Sequence, residues 1–237
     1  MGSTDPMKAM RAFVPGQVYV HEHPLRLGGG TLLTRMTLFA LDDGGIVIHS
    51  PVPFCEALRS ATERLGPVRA IVAPSNCHHL FVADAQCAFP GVPTYGAPGV
   101  AEKRPDLVLE PLPQGLWADE VDQVAIGDRV MREVVLYHRA SRTVIAVDLV
   151  EHFRDETPGV DRIMRAWIKL MGMWNKPRPA PELRWMLRDR AAAKLALERI
   201  LAWDFDRMVI AHGESFERGA KDALREAWRP VLEAKRA

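Results

Sequence analysis

The chain has 237 residues, 48% hydrophobic and 26% charged, which suits an ordinary globular core in one large domain or two small ones. Its 31 basic and 30 acidic residues leave a formal net charge of +1, so no strong field draws it to nucleic acid or to an anionic membrane. No stretch reaches the ~20 apolar residues that cross a bilayer, and the three cysteines, Cys55, Cys77 and Cys87, fit free thiols in a reducing compartment better than a disulfide frame.

Met1–Pro6 lacks the apolar core of a signal peptide and is expected to be a cloning remnant ahead of Met7. The expected location is the cytoplasm. Gln17–His21 and Leu32–Leu41 are rich in strand formers, and the turn Asp42-Asp43-Gly44-Gly45 leads into Gly45–Ser50, a hairpin signal. Phe54–Leu65 is amphipathic, with Leu58, Ala61 and Leu65 on one side, and Gly66-Pro67 stops it. Val68–Ala73 is a short apolar run bounded by Pro74, as expected of a buried strand. A helix over His79–Ala88 and a strand near Pro93–Gly96 follow.

Further strands are expected at Val121–Ile126, Arg132–His138 and Thr143–Leu149, the last two pairing across Arg139-Ala140-Ser141. Pro158–Pro181 is irregular and rich in Trp and Met. Within it Ile163, Trp167, Leu170, Met171 and Trp174 recur at helical spacing, either as a core-facing stripe or as a lid over an apolar substrate. Pro181–Trp203 reads as one long helix, Arg207–Ala211 as a buried strand, and Ser215–Ala234 as a terminal helix capped by Ser215. Strands in two groups, each followed by helices, fit an α/β sandwich of two mixed sheets with helices outside. No glycine-rich dinucleotide fingerprint or phosphate loop is present.

Three strands deliver His or Asp at their carboxyl ends. His78 and His79 follow Val68–Ala73 through the link Pro74-Ser75-Asn76-Cys77; Asp148 closes Thr143–Val147; His212 closes Arg207–Ala211 and precedes Gly213. Strand ends of α/β folds are where ligands gather, because the sheet holds them while loops vary. Imidazole and carboxylate suit zinc or iron, and three protein ligands leave a position open.

In this order the elements resemble the metallo-β-lactamase superfamily. That family carries a strand followed by His-x-His-x-Asp-His, then an Asp and a last His at later strand ends. The resemblance spans about Gln17 to Gly213 as an order of elements. The phrases Ile71–Phe81 (IVAPSNCHHLF), Ser141–Leu149 (SRTVIAVDL), Ala211-His212-Gly213 and Pro98-Gly99 with Lys103 look like an uncharacterised branch of it. Set against the motif, Pro74 and Asn76 stand at the first two histidines, His78 at the Asp and His79 at the last His. The family's middle His, expected before Arg132–His138, has no counterpart among Asp128, Arg129, Arg132 and Glu133. The resemblance therefore implies one domain over residues 7–237 with an αββα sandwich, a dismantled first metal site, and one Zn or Fe ion on His78, His79, Asp148 and His212. It implies a hydrolase of an ester-like small molecule that uses one metal-bound hydroxide. Asp148 orients the nucleophile, and His78, if not a ligand, protonates the leaving group.

Plainer readings stand beside these. His78 and His79 can cap the following helix, and Asp148 can cap Leu149–Phe153. His138 is expected in a turn, and His21, Glu22 and His23 at the surface. His49 and Ser50 close a strand, His49 lining the site or packing. Glu133 reads as an exposed strand-end carboxylate or a replacement ligand. Lys103 reads as a binder of anionic substrate or a helix cap, and Cys77 as a weak alternative nucleophile. The rival functions are a non-catalytic binding protein that has lost its metals, and an iron oxidoreductase. The expected partner is a small apolar substrate, with no nucleic acid and no membrane span.

Overall fold

The computed structural model describes residues 10–117, 119–128 and 131–234; Met1–Pro6, read as a cloning remnant, and Arg129 lie outside the described residues. The first sheet runs in spatial order β1 (Met10–Val14), β2 (Val18–Leu27), β3 (Gly30–Ala40), β4 (Ile46–His49), β5 (Val68–Ala73), β6 (Thr94–Gly96) and β7 (Glu110–Pro111). Its first four strands are antiparallel and the rest parallel. The second sheet has the order β11 (Arg207–Val209), β10 (Thr143–Ile145), β9 (Arg132–His138) and β8 (Val121–Gly127), with only the β10/β11 pair parallel.

Strand alternation builds three layers of core. Phe39, Val47 and Val72 of the first sheet meet Val134, Leu136, Ile145 and Val209 of the second. On the outer face of the first sheet, Leu38, Ile48 and Ile71 pack on Leu58 of α1 (Glu56–Glu63) and Ala85 of α2 (Val82–Ala88). A short helix, α3 (Val100–Lys103), follows β6. On the outer face of the second sheet, Val135, Val144 and Met208 pack on Leu197 of α6 (Arg190–Ala202) and Trp228 of α7 (Ala220–Leu232). The result is the αββα sandwich expected from the order of elements.

Several elements differ from the sequence reading, three of them for evident local causes. The stretch expected as one helix, Pro181–Trp203, is two: α5 (Pro181–Met186) and α6. The N–H of Arg188 is taken by Asp128 Oδ2 at 2.9 Å, and Asp189 restarts the helix by accepting from Ala192 N at 2.8 Å. The terminal helix begins at Ala220, not Ser215, because Ser215 Oγ accepts from Ile210 N at 3.2 Å and Gly219 turns the chain at φ +68. Helix α2 begins at Val82 rather than His79. β10 stops at Ile145, because the next free N–H groups turn to a side chain described below. β1, β7 and α3 were not anticipated. Helix α4 (Arg162–Leu170) lies inside the segment read as irregular, with Asp161 as its N-cap accepting from Met164 N at 2.8 Å.

Gly213 sits at φ +81, and a Cβ there would meet His152 O at 2.1 Å. Gly172 has φ +70 and open space around it. The left-handed backbone alone costs a non-glycine residue about 1–2 kcal/mol. Gly172→Ala is therefore expected to lower the thermal midpoint by roughly 2–8 °C, and Gly213→Ala by clearly more; equal shifts in calorimetry would contradict the close approach at Gly213.

Candidate metal centre

The loops after β5, β10 and β11 open on one rim of the sandwich. There the ligand atoms of His78, Asp148 and His212 all lie within 4.8 Å of one another. His78 Nε2 is 3.3 Å and His212 Nε2 4.0 Å from Asp148 Oδ1, and the two imidazole centroids are 5.2 Å apart. All three side chains are at least nine-tenths buried.

Each group is oriented from behind. His212 Nδ1 donates to Leu33 O at 2.9 Å, which leaves Nε2 facing inward with a lone pair in the neutral ring. His78 Nδ1 is 2.9 Å from Ser50 Oγ. Ser50 adopts φ +53, an uncommon conformation for a side-chain-bearing residue, and it carries the hydroxyl to that ring. The His212 loop is held by Arg35, buried in the sheet. Its guanidinium donates to Gly213 O at 2.8 Å, to Ser215 Oγ at 3.1 Å and to Ile210 O. Glu22, directly opposite in the β2/β3 register, accepts from Arg35 Nε at 3.1 Å. Asp148 is held by Glu133, whose carboxylate accepts from Val147 N at 2.6 Å and Asp148 N at 3.0 Å.

Burial depresses the His78 imidazole, but the charge and hydrogen bond of Asp148, with help from Glu133, outweigh it and raise its pKa. Burial and the neighbouring His78 pull His212 down to about 4 and His49 down to about 3. Burial raises the Asp148 carboxyl, yet His78 and then His212 hold it below the usual carboxylate range. Burial and Asp148 push Glu133 up to about 8, against its two N–H donors and His78.

The donor set fits an ion. Donors on a four-coordinate zinc at ~2.0–2.1 Å stand about 3.3 Å from one another, close to the 3.3 and 4.0 Å found here. Asp148 Oδ2 is buried without a hydrogen-bond partner, and such an orphan is costly unless something else satisfies it. Two neutral imidazoles and one carboxylate suit zinc or iron.

His79, expected in this centre, lies outside the group. The tight turn that bonds His78 N to Ser75 O aims His78 inward, and His79 lies beside Arg104, whose guanidinium donates to its carbonyl at 3.1 Å. Glu133 is fully buried, not exposed. Asp148 caps no helix, because none forms over 149–153. His49 is buried with Nε2 unpartnered, close enough to His78 to feel its charge. His138, expected in a turn, is the buried last residue of β9, its ring 2.8 Å from Ser141 Oγ and 3.0 Å from Ala40 O. His23 is half-buried with its ring edge-on to Phe81, and Glu22 serves Arg35 rather than the surface. Lys103 Nζ donates to Asn76 O at 2.7 Å and so ties down the loop after β5. Asn76 Oδ1 accepts from Arg132 N at 3.0 Å. Cys77 is a free thiol pushed up by partial burial and Asp148, against the idea of an activated nucleophile.

The group opens into a cavity of about 210 Å³. Its walls include Leu25, Phe81, Met131 and Phe153, and α4 closes it with Met164, Trp167 and Ile168. The α4 residues read from the sequence as a core-facing stripe or lid, Ile163, Trp167 and Leu170, face outward, and of them only Trp167 lines the cavity. Met164 and Ile168 pack instead on Leu32 and Phe153. Two carboxylates that sequence reasoning missed, Glu151 and Glu182, also line the cavity. Burial, Asp148 and Glu182 raise Glu151 well above the usual carboxylate range. No motif signals it; only the fold brings it to the cavity.

The family model described as "Domain of unknown function (DUF4336)" matches residues 15–182, and the chain belongs to that family. No curated protein matches it in sequence. Solved structures that are similar include a metallo-β-lactamase from Pontibacter korlensis, with TM-score 0.58 and 13% identity over 93% of this chain and 97% of that one. The metallo-β-lactamase FIM-1 from Pseudomonas aeruginosa in its mono-zinc form has TM-score 0.56 and 11% identity over 92% and 94%. The chemotaxis sensor ODP, in a peroxy diiron state, has TM-score 0.56 and 14% identity over 92% of each chain. The chain thus has the metallo-β-lactamase fold, in a divergent branch.

Glu133→Gln puts an amide NH₂ against one of two backbone N–H donors. It is expected to cost about 1–3 kcal/mol, read as a shift of the urea midpoint at unchanged slope. An unchanged midpoint would show that the Glu133 bridge contributes nothing to the turn that carries Asp148.

Proposed function

We propose that this DUF4336-family chain is a metal-dependent hydrolase of a small, apolar, ester-like substrate, with one zinc or iron ion held by His78, Asp148 and His212. One observation carries the reading: two imidazole Nε2 atoms converge on Asp148 Oδ1, and the other oxygen of that carboxylate is buried without a partner, at a cavity walled largely by apolar side chains. An ion bound there supplies Lewis acidity toward a carbonyl or phosphoryl oxygen and makes water more acidic.

The protein's own groups supply the rest. Ser50 and the Leu33 carbonyl hold the two rings in one orientation, so little reorganisation is needed on binding. Because Asp148 favours a proton on His78, that proton must leave before the nitrogen ligates, and metal uptake strengthens as pH rises. Phe81, Met131 and Trp167 exclude water and bind the apolar body of the substrate. With His78 engaged as a ligand, Glu151 is the group placed to give the leaving oxygen its proton: it lines the same cavity, and burial and then Asp148 push its carboxyl well above the usual carboxylate range. Among the described residues no lysine or arginine lines the cavity, so neutral acyl groups are preferred to anionic ones.

A second reading, a binding protein without catalysis, draws on Asn76. It stands where the metallo-β-lactamase motif carries a histidine, and its side-chain oxygen accepts from Arg132 N.

The test is turnover of a panel of neutral and anionic aryl esters by metal-loaded and chelated protein. Chelation should abolish turnover and re-addition restore it. Asp148→Ala and His212→Ala should lose at least ~100-fold in kcat/KM together with bound metal, while His79→Ala stays within about threefold. Metal-loaded protein that binds apolar esters without turning any over would establish the binding reading instead.

A further inference from the structure

The formal net charge of +1 conceals a basic flank on α4 beside the cavity mouth, although among the described residues the cavity's own lining holds Glu182 and no lysine or arginine. Leu27, Leu80 and Trp167 line the cavity and are also exposed to solvent. Ile163 and Leu170 extend that apolar surface along α4 at 61% and 79% exposure. α5, whose first residues Pro181 and Glu182 line the same cavity, adds exposed Trp185 and Met186. Its Arg184 reaches Met171 O at 3.4 Å, which fixes α5 beside the end of α4. Among the described residues, the other exposed large hydrophobics are only Val108 and Leu195. Scattered apolar side chains need no explanation, but a contiguous apolar rim around a cavity does.

Helix α4, RIMRAWIKL, has three stripes. Met164 and Ile168 face the core. Ile163, Trp167 and Leu170, spaced i, i+4, i+7, form the exposed apolar stripe. Arg162, Arg165 and Lys169 form a basic stripe on the other flank of the solvent face. The helix contains no acidic residue, and the carboxylate just before it, Asp161, is occupied as the N-cap. Arg165 and Lys169 lie 4.8 and 5.0 Å from the Trp174 ring, which leaves their charge in place.

We infer that this rim docks on an anionic phospholipid surface, with the apolar stripe of α4 in the acyl boundary and the basic stripe on headgroups. Apolar and basic stripes sharing one solvent face, with a tryptophan in the apolar one, match the chemistry of the lipid interface. Basic side chains near an anionic leaflet add electrostatic attraction that a neutral surface lacks. The docked orientation also turns the apolar mouth toward the membrane, so an apolar ligand passes into the cavity without crossing water. The inference does not require that the protein be an enzyme.

The test is flotation of the full chain with vesicles of phosphatidylcholine alone and of phosphatidylcholine with phosphatidylglycerol. Binding is expected to the anionic vesicles, falling as salt is raised. The double variants Ile163→Glu/Leu170→Glu and Arg162→Glu/Lys169→Glu should each bind at least ~10-fold more weakly. Leu195→Glu, on an exposed site of α6, should bind as wild type does. Thermal melts of all variants should lie within a few degrees of one another, since every altered side chain is exposed and only Lys169 has a ring contact to lose. Absence of binding to anionic vesicles at low salt would overturn the inference. So would wild-type affinity in both double variants, or a solution dimer that Ile163→Glu/Leu170→Glu converts to monomer without any vesicle binding by the wild type.

Discussion

Glu133 carries the constraint on which the rim depends. Its carboxylate is fully buried and holds two consecutive backbone N–H groups, those of Val147 and Asp148. Those groups donate to the side chain instead of to a strand, and β10 ends at Ile145. A buried N–H without a partner is costly, so the side chain makes an abrupt strand ending tolerable. It is this ending that turns Asp148 toward His78 and His212. Arg35 does the complementary work for His212, gathering Ile210 O and Gly213 O from either side of it while Glu22 balances its charge. Two buried ionisable residues, one in each sheet, thus set the positions of two candidate ligands before any ion arrives.

Such an arrangement is expensive if it serves only stability, since buried charged groups are weak contributors to it. The cost is understandable at a binding centre. Asp148 keeps an unpartnered oxygen, His49 an unpartnered nitrogen, and both lie in the surroundings of His78. Frustrated polar atoms of this kind concentrate where a ligand completes the set. The apolar cavity above them would amplify any charge interaction formed inside it.

Much of the fold was legible from the chain. The strands Val68–Ala73 and Arg132–His138 have the expected bounds, and Asp148 and His212 stand at the rim that their strands predicted. The sequence reading took both His78 and His79 into the group; that only His78 reaches it was not legible, because adjacent residues in a turn face different directions and a motif alignment fixes only their order. Glu133 read as an exposed strand-end carboxylate because nothing local shows that Val147 and Asp148 need acceptors. In α4 the apolar residues form two stripes within nine positions, so periodicity alone could not say whether Met164 and Ile168 or Ile163 and Leu170 face inward. Glu151 lies in no pattern at all. In each case the missing information is tertiary: which segment arrives opposite, and with what hydrogen-bonding need.

The most direct measurement is anomalous diffraction above the metal absorption edge from crystals of zinc-loaded protein. One peak, within bonding distance of His78 Nε2, His212 Nε2 and an Asp148 carboxylate oxygen and away from His79, is the predicted result. A peak coordinated by His79 without His78, or no peak at this rim at saturating zinc, would contradict the account.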